Sequence, residues 1–359
     1  MVYNDKKDYV VKLCKKVKII NNINSIVRGT GKYLPDFTVD NKVFEQIVDT
    51  SDEWIVSHTG ISERRIEQEK GNFEMMGEAA KEALKNANIS PLEIDMIIAA
   101  TVTSDYGWPS AGCLIQNYIG ADNAVSFDIS AACAGSIFAI DMADLYIKSG
   151  RMKNVLVVAG EILSRSVNFL DRSNCILFGD GAGAIVLSAE ENTAEDMRRG
   201  VLTSYIMGDC DNDKPLAVYA TSRKTTRIFD ETTREFLGNA ENTHGYMQMN
   251  GRAVYQFAVR TVPKIIDEVL TRADMTISDI KYIIAHQANK RILDSIIERY
   301  NLAPEKMPMN IDRYANMSSS TVPILLHELV EGNKIQKGDV IILTGFGSGL
   351  VFGANVIRW

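Results

Sequence analysis

Residues 126–161 read SFDISAACAGSIFAIDMADLYIKSGRMKNVLVVAGE, and they place one cysteine between an apolar strand and an almost wholly apolar helix. The first free N–H groups of that helix, and the positive end of its dipole, would point at the Cys133 sulfur. Such a setting typically lowers a cysteine pKa from about 8.5 to between about 3.5 and 7.5. The small residues around Cys133 leave room for a substrate. The stretch predicts a nucleophile; the alternative is a small core cysteine, the usual place of free cysteines.

The composition excludes several classes of protein. The length of 359 residues exceeds that of a usual single domain and favours two core-forming units. A net charge of -7, without a basic stripe, argues against nucleic-acid binding. No apolar run is long enough to span a bilayer. Five cysteines without paired spacing, and no secretory signal, indicate reduced thiols and a cytoplasmic location.

Strand-like and helix-like segments alternate along the chain. Residues 1–22 are predicted to be an added arm or outer strand, with a surface amphipathic segment as the alternative. Residues 95–103 are a continuous apolar run, typical of a strand buried on both faces. CILFGDGAGAIVLSA predicts strand, glycine turn and strand, with Asp180 as a turn residue rather than a metal or phosphate ligand. A long polar excursion is expected at residues 224–242.

The two halves of the chain, residues 23–190 and 191–359, resemble each other. DMIIAATVTSD is similar to DIKYIIAHQAN, and SAACAGSIFAI is matched in position by NMSSSTVPILL. A duplicated strand-helix unit explains this pattern best. Duplication predicts mixed sheets with helices buried between them, where a helix as apolar as the one after Cys133 would fit.

The second half supplies polar residues that complete a cysteine site. His286 and Asn316 each follow an apolar strand, the position where α/β sheets usually bind ligands. The glycines of GFGSG near Ser348 allow tight geometry and expose N–H groups to a developing oxyanion. A cysteine becomes a strong candidate nucleophile when a histidine and an amide accompany it. The remaining histidines are predicted to be structural: His58, His244 and His327.

Seven motifs in one order resemble those of the β-ketoacyl-acyl carrier protein synthase III family of thiolase-fold condensing enzymes. They are TSDEWIVSHTGISERRI, SAACAGS, ILFGDGAGA, MNGRAVYQFAV, AHQANKRI, NMSSSTVP and FGSGL, and they cover nearly the whole chain after Ile23. The resemblance implies an α/β thiolase-like fold. In that fold, duplicated halves of mixed five-stranded sheets and buried helices form αβαβα layers.

The resemblance also implies a reaction. Cys133 would take an acyl group from an acyl thioester, usually acyl-CoA. His286 and Asn316 would then hold the thioester carbonyl of malonyl-acyl carrier protein during decarboxylation, and the resulting carbanion would attack the acyl-cysteine. The backbone N–H groups of Cys133 and Ser348 would stabilise the second oxyanion. No metal or bound cofactor is implied, and the enzyme would be a homodimer.

Further binding residues are implied by the same resemblance. Trp54 would stack on the CoA adenine, Arg172 would lie near its phosphates, and Arg291 would meet the acidic carrier protein or the pantetheine. His58 stands where fatty-acid-starting enzymes commonly have an arginine, which leaves the donor open between CoA and a carrier-protein thioester.

The acyl pocket is the last implied site. Trp108 would reach across the dimer to close it, and Phe178 and Met249 would line it. The alternative for Trp108 and Phe178 is plain core packing.

Two other functions compete with decarboxylative condensation. One is transfer of the Cys133 acyl group to an alcohol or amine, which would not require malonyl thioester. The other is a non-catalytic partner subunit, whose sequence signature would be loss of the nucleophile. The primer, its carrier and the pathway stay open at the level of sequence.

Overall fold

The computed structural model describes residues 23–191, 199–209, 218–219 and 246–359. The expected N-terminal extension, residues 1–22, and the excursion at residues 224–242 lie outside the described residues. The strands are β1 (Ile23–Tyr33), β2 (Thr38–Asp40), β3 (Glu63–Arg65), β4 (Met96–Ala100), β5 (Val125–Ile129), β6 (Asn154–Ile162), β7 (Asp180–Glu191), β8 (Gly200–Gly208), β9 (Val218–Tyr219), β10 (Gln248–Met249), β11 (Ile280–Ala285), β12 (Val340–Gly347) and β13 (Val351–Arg358).

The helices begin where capping side chains or glycines permit, as at Ser51 and Ser110, whose hydroxyls accept N–H groups of the first turn. The helices are α1 (Asn41–Glu45), α2 (Asp52–Thr59), α3 (Asn72–Ala87), α4 (Ala111–Ile119), α5 (Gly135–Lys148), α6 (Gly251–Ala273), α7 (Lys290–Tyr300), α8 (Ile311–Tyr314) and α9 (Thr321–Glu331). None of the helices in the described ranges is long and apolar enough to cross a membrane.

The first half forms a mixed five-stranded sheet in the order β1-β7-β6-β4-β5. Strand β4 pairs in parallel with β5 and β6, whereas β7 runs antiparallel to β6 and β1. Every residue of β4 and β6 is buried, as their continuous apolar sequences predict. The expected boundary between the halves, at residues 190 and 191, falls at the end of β7.

The second half repeats this arrangement as a four-stranded sheet in the order β11-β12-β13-β8. Strands β11 and β12 are parallel, and β13 runs antiparallel to both of its neighbours. The expectation of a fifth strand beside β11 is wrong for the described residues. The segment at residues 307–310 forms no ladder: Pro308 has no N–H to donate, and the N–H of Asn310 bonds the Gln287 side chain at 3.2 Å.

The two sheets enclose a central helical layer. Apolar side chains of α5 and α9, such as Ile140 and Leu326, share one core with residues of both sheets. Helices α3 and α4 pack on the outer face of the first sheet, and α6 and α7 pack on the outer face of the second. The expected αβαβα layering is therefore confirmed.

The expected glycine turn after residue 179 is absent, because Gly181 and Gly183 lie inside the continuous strand β7. A Cβ atom on Gly183 would lie 2.9 Å from the backbone nitrogen of Ile324 in α9. These glycines let the sheet approach the central helix closely. Asp180 is a buried structural residue, since its carboxylate accepts hydrogen bonds from Ser164 and from the N–H of Glu67.

Candidate active site

Cys133 lies in the 3₁₀ turn Ala132–Ala134, between the end of β5 and the start of α5. The end of β12 packs closely against this turn. A Cβ atom on Gly347 would lie 2.6 Å from the Cys133 nitrogen, so only glycine permits the approach. The turn itself contains Ala132 with a φ of 44°, a left-handed conformation that the surrounding structure must hold.

The pKa of Cys133 is shifted in the direction opposite to that expected from the sequence. Burial raises it to about 11, the negative charge of Glu161 adds to the increase, and the Ser318 hydroxyl opposes it. The helix begins two residues later than expected, and the nearby N–H groups are used within the turn. The Ala134 N–H bonds Ala131 O at 3.1 Å, and the Gly135 N–H bonds Ala132 O. Cys133 is therefore a neutral thiol at rest.

His286 directly follows β11 and is 1% exposed. Its Nδ1 lies 2.8 Å from the Thr321 hydroxyl, and its ring packs edge-on against Phe346 with 5.5 Å between ring centroids. Burial lowers the pKa of His286 to about 3. The imidazole is therefore neutral, and the site is a thiol beside an imidazole rather than an ion pair.

Asn316 is held at both its backbone and its side chain. Its N–H donates to Leu177 O at 3.0 Å, its carbonyl accepts from Gly179 N at 3.1 Å, and its Oδ1 accepts from Ser318 N at 2.9 Å. Since Oδ1 is used in this way, Nδ2 is the end of the amide that can donate to a ligand.

A cavity of 520 Å³ brings the three side chains together, although they lie 30 to 183 residues apart in the sequence. Ser348, expected to supply an oxyanion N–H, lies on the same wall as Gly347. The remaining lining is mostly apolar. It includes Val102, Leu163, Phe178, Met247, Met249, Val254, Phe257, Phe346 and Leu350.

Of the residues expected to form the acyl pocket, two lie at the cavity and one does not. Phe178 and Met249 line the cavity, and the backbone of Phe178 forms a bridge to Asn316. Trp108 does not line the cavity that this chain forms. Its side chain is 88% exposed, so the core-packing alternative is wrong for Trp108.

The residues expected to bind CoA or the carrier lie together outside the cavity. The Arg172 guanidinium lies 4.4 Å from the centroid of the Trp54 ring, and His58 stacks on Trp54 at 4.2 Å. Arg291 is exposed at the start of α7 and donates to Ser57 O at 3.3 Å. Trp54 packs against the apolar cluster that contains Phe178 and Met247, which connects this surface to the cavity wall.

Sequence reasoning missed several residues around the site. Thr321 contacts His286, Phe346 packs on it, and Glu161 binds the turn that follows Asn316. A charged residue at the end of the apolar run VLVVAGE was the available signal for Glu161. In the described parts of the chain, no group of three or more His, Cys, Asp or Glu side chains could hold a metal ion.

Comparison with known proteins identifies the family. The 3-oxoacyl-[acyl-carrier-protein (ACP)] synthase III family matches residues 127–206, and its C-terminal counterpart matches residues 270–359. A β-ketoacyl-[acyl-carrier-protein] synthase III of Aquifex aeolicus (strain VF5) is 42% identical over 92% of this chain and 98% of that protein. A synthase III 1 of Bacillus anthracis is 42% identical over 94% of this chain and 99% of its own length. The chain belongs to the β-ketoacyl-[acyl-carrier-protein] synthase III family.

Solved structures of similar proteins have the same fold. The crystal structure of the Aquifex aeolicus VF5 synthase III matches with a TM-score of 0.82 and 40% identity, over 94% of this chain and 100% of that chain. The priming β-ketosynthase of the R1128 polyketide pathway matches with a TM-score of 0.84 and 30% identity, over 94% and 96%. The expected family, fold and enzyme class are confirmed: the protein is a condensing acyltransferase of the synthase III type.

Proposed function

We propose that Cys133 accepts an acyl group from a thioester and that the acyl group is then condensed with malonyl-acyl carrier protein. The convergence of Cys133, His286 and Asn316 on one largely apolar cavity carries the proposal. An apolar wall suits an acyl chain, and the polar groups lie where the thioester carbonyls must react.

Acylation begins with a neutral thiol. The Cys133 sulfur attacks the acyl carbonyl, a new carbon–sulfur bond forms, and the bond to the donor sulfur breaks. The thiol proton ends on the released donor thiol. Backbone N–H groups of Cys133 and Ser348 stabilise the tetrahedral oxyanion, and each such donor typically contributes about 3 to 4 kcal/mol.

His286 and Asn316 then stabilise the enolate of the malonyl thioester. The Thr321 hydroxyl donates to Ser318 O at 2.9 Å and lies 2.8 Å from His286 Nδ1, where donor and acceptor depend on the imidazole tautomer; the proposed step uses the tautomer in which the hydroxyl turns to Nδ1. Donation to Nδ1 places the imidazole proton on Nε2, which, with Asn316 Nδ2, then donates to the thioester oxygen. The bond to carbon dioxide breaks, and its electron pair forms the new carbon–carbon bond to the acyl group as the Cys133 sulfur leaves. These side chains supply the groups that the steps use, without a bound cofactor.

The surface around Trp54 fits the donor and the carrier. An aromatic ring beside exposed Arg172 suits an adenine with its phosphates, so acyl-CoA is the proposed donor. Exposed Arg291 suits the acidic surface of acyl carrier protein. His58 fills part of the space around Trp54, so an acyl-carrier-protein donor is the second candidate.

The enzyme is proposed to act as a homodimer. Strand β5 is the edge of the first sheet, and the large side chains of Trp108, Val125 and Leu145 are between 56% and 88% exposed. A second copy would cover this surface and bring Trp108 to the acyl pocket of its partner.

The acylation step is tested by intact-mass spectrometry with a panel of acyl-CoAs and acyl carrier proteins, using the wild type and Cys133→Ala. A mass gain of one acyl group that disappears in Cys133→Ala supports the proposal and identifies the primer. If no donor in the panel adds mass to the wild type, the proposed function is wrong.

A further inference from the structure

Glu161, at the end of β6, is a carboxylate that the proposed steps do not use. Its side chain is 0% exposed. Among residues 23–191, 199–209 and 246–359, no cation forms an ion pair with it. A buried carboxylate without a cation is costly unless hydrogen bonds satisfy it, so its surroundings indicate what it does.

Donors from the first half of the chain surround one of its oxygens. Glu161 Oε2 accepts from the Thr103 hydroxyl at 2.6 Å, from the Thr101 hydroxyl at 3.1 Å and from the Val102 N–H at 3.1 Å. These residues form the turn after β4, and both Val102 and Thr103 line the active-site cavity.

Donors from the second half bind the other oxygen. Glu161 Oε1 lies 3.0 Å from the Ser319 hydroxyl and 3.4 Å from the Ser318 hydroxyl. Both serines belong to the 3₁₀ turn Ser318–Ser320, which leads into α9. One carboxylate therefore joins the two halves at the cavity.

The residue that makes this bridge important is Ser318. Its N–H holds Asn316 Oδ1 at 2.9 Å, and its side chain is close enough to Cys133 to lower the pKa of the thiol. Anything that fixes Ser318 thus acts on both the nucleophile and the enolate-binding amide.

We propose that Glu161 is a positioning residue: its carboxylate clamps the Ser318–Ser320 turn between the two halves and, through Ser318, acts on both the Cys133 thiol and the Asn316 amide. The effect on Asn316 rests on the proposed function, whereas the effect on the thiol does not.

The electrostatics agree with this geometry. Burial raises the pKa of Glu161 to about 7, so its charge changes near neutral pH. The same negative charge contributes to the raised pKa of Cys133. The other groups that face Glu161 are neutral hydroxyls and an N–H group. His286, with a pKa of about 3, stays neutral above pH 5. In the loop after β4, Asp105 forms an ion pair with Arg165 at 3.2 Å.

The test is the rate of Cys133 alkylation by iodoacetamide between pH 5.5 and 9, in the full-length wild type and in Glu161→Gln, followed by mass spectrometry of the peptide that contains Cys133. Near pH 5.5 the two rates should be equal, because Glu161 is protonated in the wild type. Near pH 9 Glu161→Gln should react about tenfold faster, which corresponds to about one pKa unit for removal of a nearby like charge. Asp180→Asn is the matched control, since it removes a buried carboxylate held by hydroxyl and N–H donors outside the cavity wall. It should follow the wild type.

A rate ratio that does not change with pH would show a merely structural effect and overturn the proposal. If Glu161→Gln proves unfolded by circular dichroism, the wild-type profile still decides the matter. Because Glu161 ionises around pH 7, the rate of Cys133 alkylation in the wild type should rise clearly less than tenfold per pH unit there. A uniform tenfold rise per pH unit would contradict the proposal.

A second measurement concerns Asn316. Glu161→Gln should release carbon dioxide from malonyl-acyl carrier protein about tenfold more slowly than the wild type and Asp180→Asn. An unchanged rate would show that Glu161 does not position Asn316 through Ser318. If the wild type releases none, the proposed function fails, and the alkylation profile still tests the charge.

Discussion

At the scale of single residues, the site combines two groups that burial keeps uncharged. The pKa of Cys133 is raised to about 11 and that of His286 is lowered to about 3. Neutral donors suit an enolate, because an imidazolium could protonate the carbanion before it attacks the acyl group. The neutral His286 imidazole therefore favours condensation over loss of the carbanion to protonation.

Burial of neutral His286 should make the protein less stable in acid. In the unfolded state this histidine has a pKa near 6.5, whereas in the folded state its pKa is about 3. As the pH falls below 6.5, the unfolded state therefore binds a proton that the folded state does not, and the free energy of unfolding decreases. Between pH 7.5 and pH 5 this histidine should account for about 2 kcal/mol of the loss in unfolding free energy. Urea unfolding at both pH values should show that His286→Asn loses less unfolding free energy than the wild type, by that amount. His58→Asn, at a half-buried position, is the control. Identical losses in His286→Asn and wild type would contradict the neutral, buried imidazole.

Asn316 should matter to decarboxylation and not to acylation. In Asn316→Ala one enolate donor is gone, and malonyl decarboxylation should fall about 10²- to 10³-fold. The acyl-enzyme should still form, as seen by intact mass. If acylation and decarboxylation fell together, Asn316 would instead support the Cys133 turn.

Cys133 and His286 were predicted because each follows an apolar strand, and Asn316 because it lies in the motif NMSSSTVP; the strand expected before Asn316 is replaced by the helix α8. The sequence did not reveal the Glu161 network, whose donors lie up to 158 residues away and come together only through the fold. The pKa of Cys133 was predicted in the wrong direction, because enclosure by distant segments is not visible in a local pattern.

At the scale of elements, the site depends on how closely β12 approaches the turn that carries Cys133. In Gly347→Ala the added Cβ would lie 2.6 Å from the Cys133 nitrogen. We expect a loss of about 1 to 3 kcal/mol of stability and a marked loss of acyl-enzyme formation. Thermal unfolding and intact mass measure the two effects.

The matched control is Gly251→Ala at the start of α6, where nothing lies within 4 Å of the added atom. It should fold and acylate like the wild type. Normal acylation by Gly347→Ala would show that this approach is not needed to shape the Cys133 turn.

Element prediction succeeded where an apolar run was continuous and failed where tertiary packing decided the local structure. The apolar strands β4 and β6 were predicted because their residues are apolar on both faces. The glycines of β7 were mistaken for a turn, since their close approach to α9 is a tertiary feature. The fifth strand of the second sheet was expected from the family resemblance, but Pro308 and the bond between Asn310 and Gln287 stand where it would pair.

At the scale of the whole molecule, Trp108 is expected to act in the second subunit. Trp108→Ala should enlarge the acyl pocket of the partner and shift acylation toward longer or branched acyl groups in competition between acyl-CoAs, read by intact mass. Leu92→Ala, at another exposed apolar residue, should leave the preference unchanged. An unchanged preference in Trp108→Ala would place Trp108 outside the acyl pocket.

Condensation at Cys133 can be tested in a single-turnover experiment. Acyl-loaded enzyme, freed of donor, is mixed with malonyl-acyl carrier protein, and the masses of enzyme and carrier are followed together with carbon dioxide release. We expect the Cys133 adduct to disappear while one β-ketoacyl-acyl carrier protein and one carbon dioxide molecule appear per acyl group. An adduct that persists with malonyl-carrier, or that passes to an alcohol or amine without carbon dioxide release, would contradict the proposed condensation.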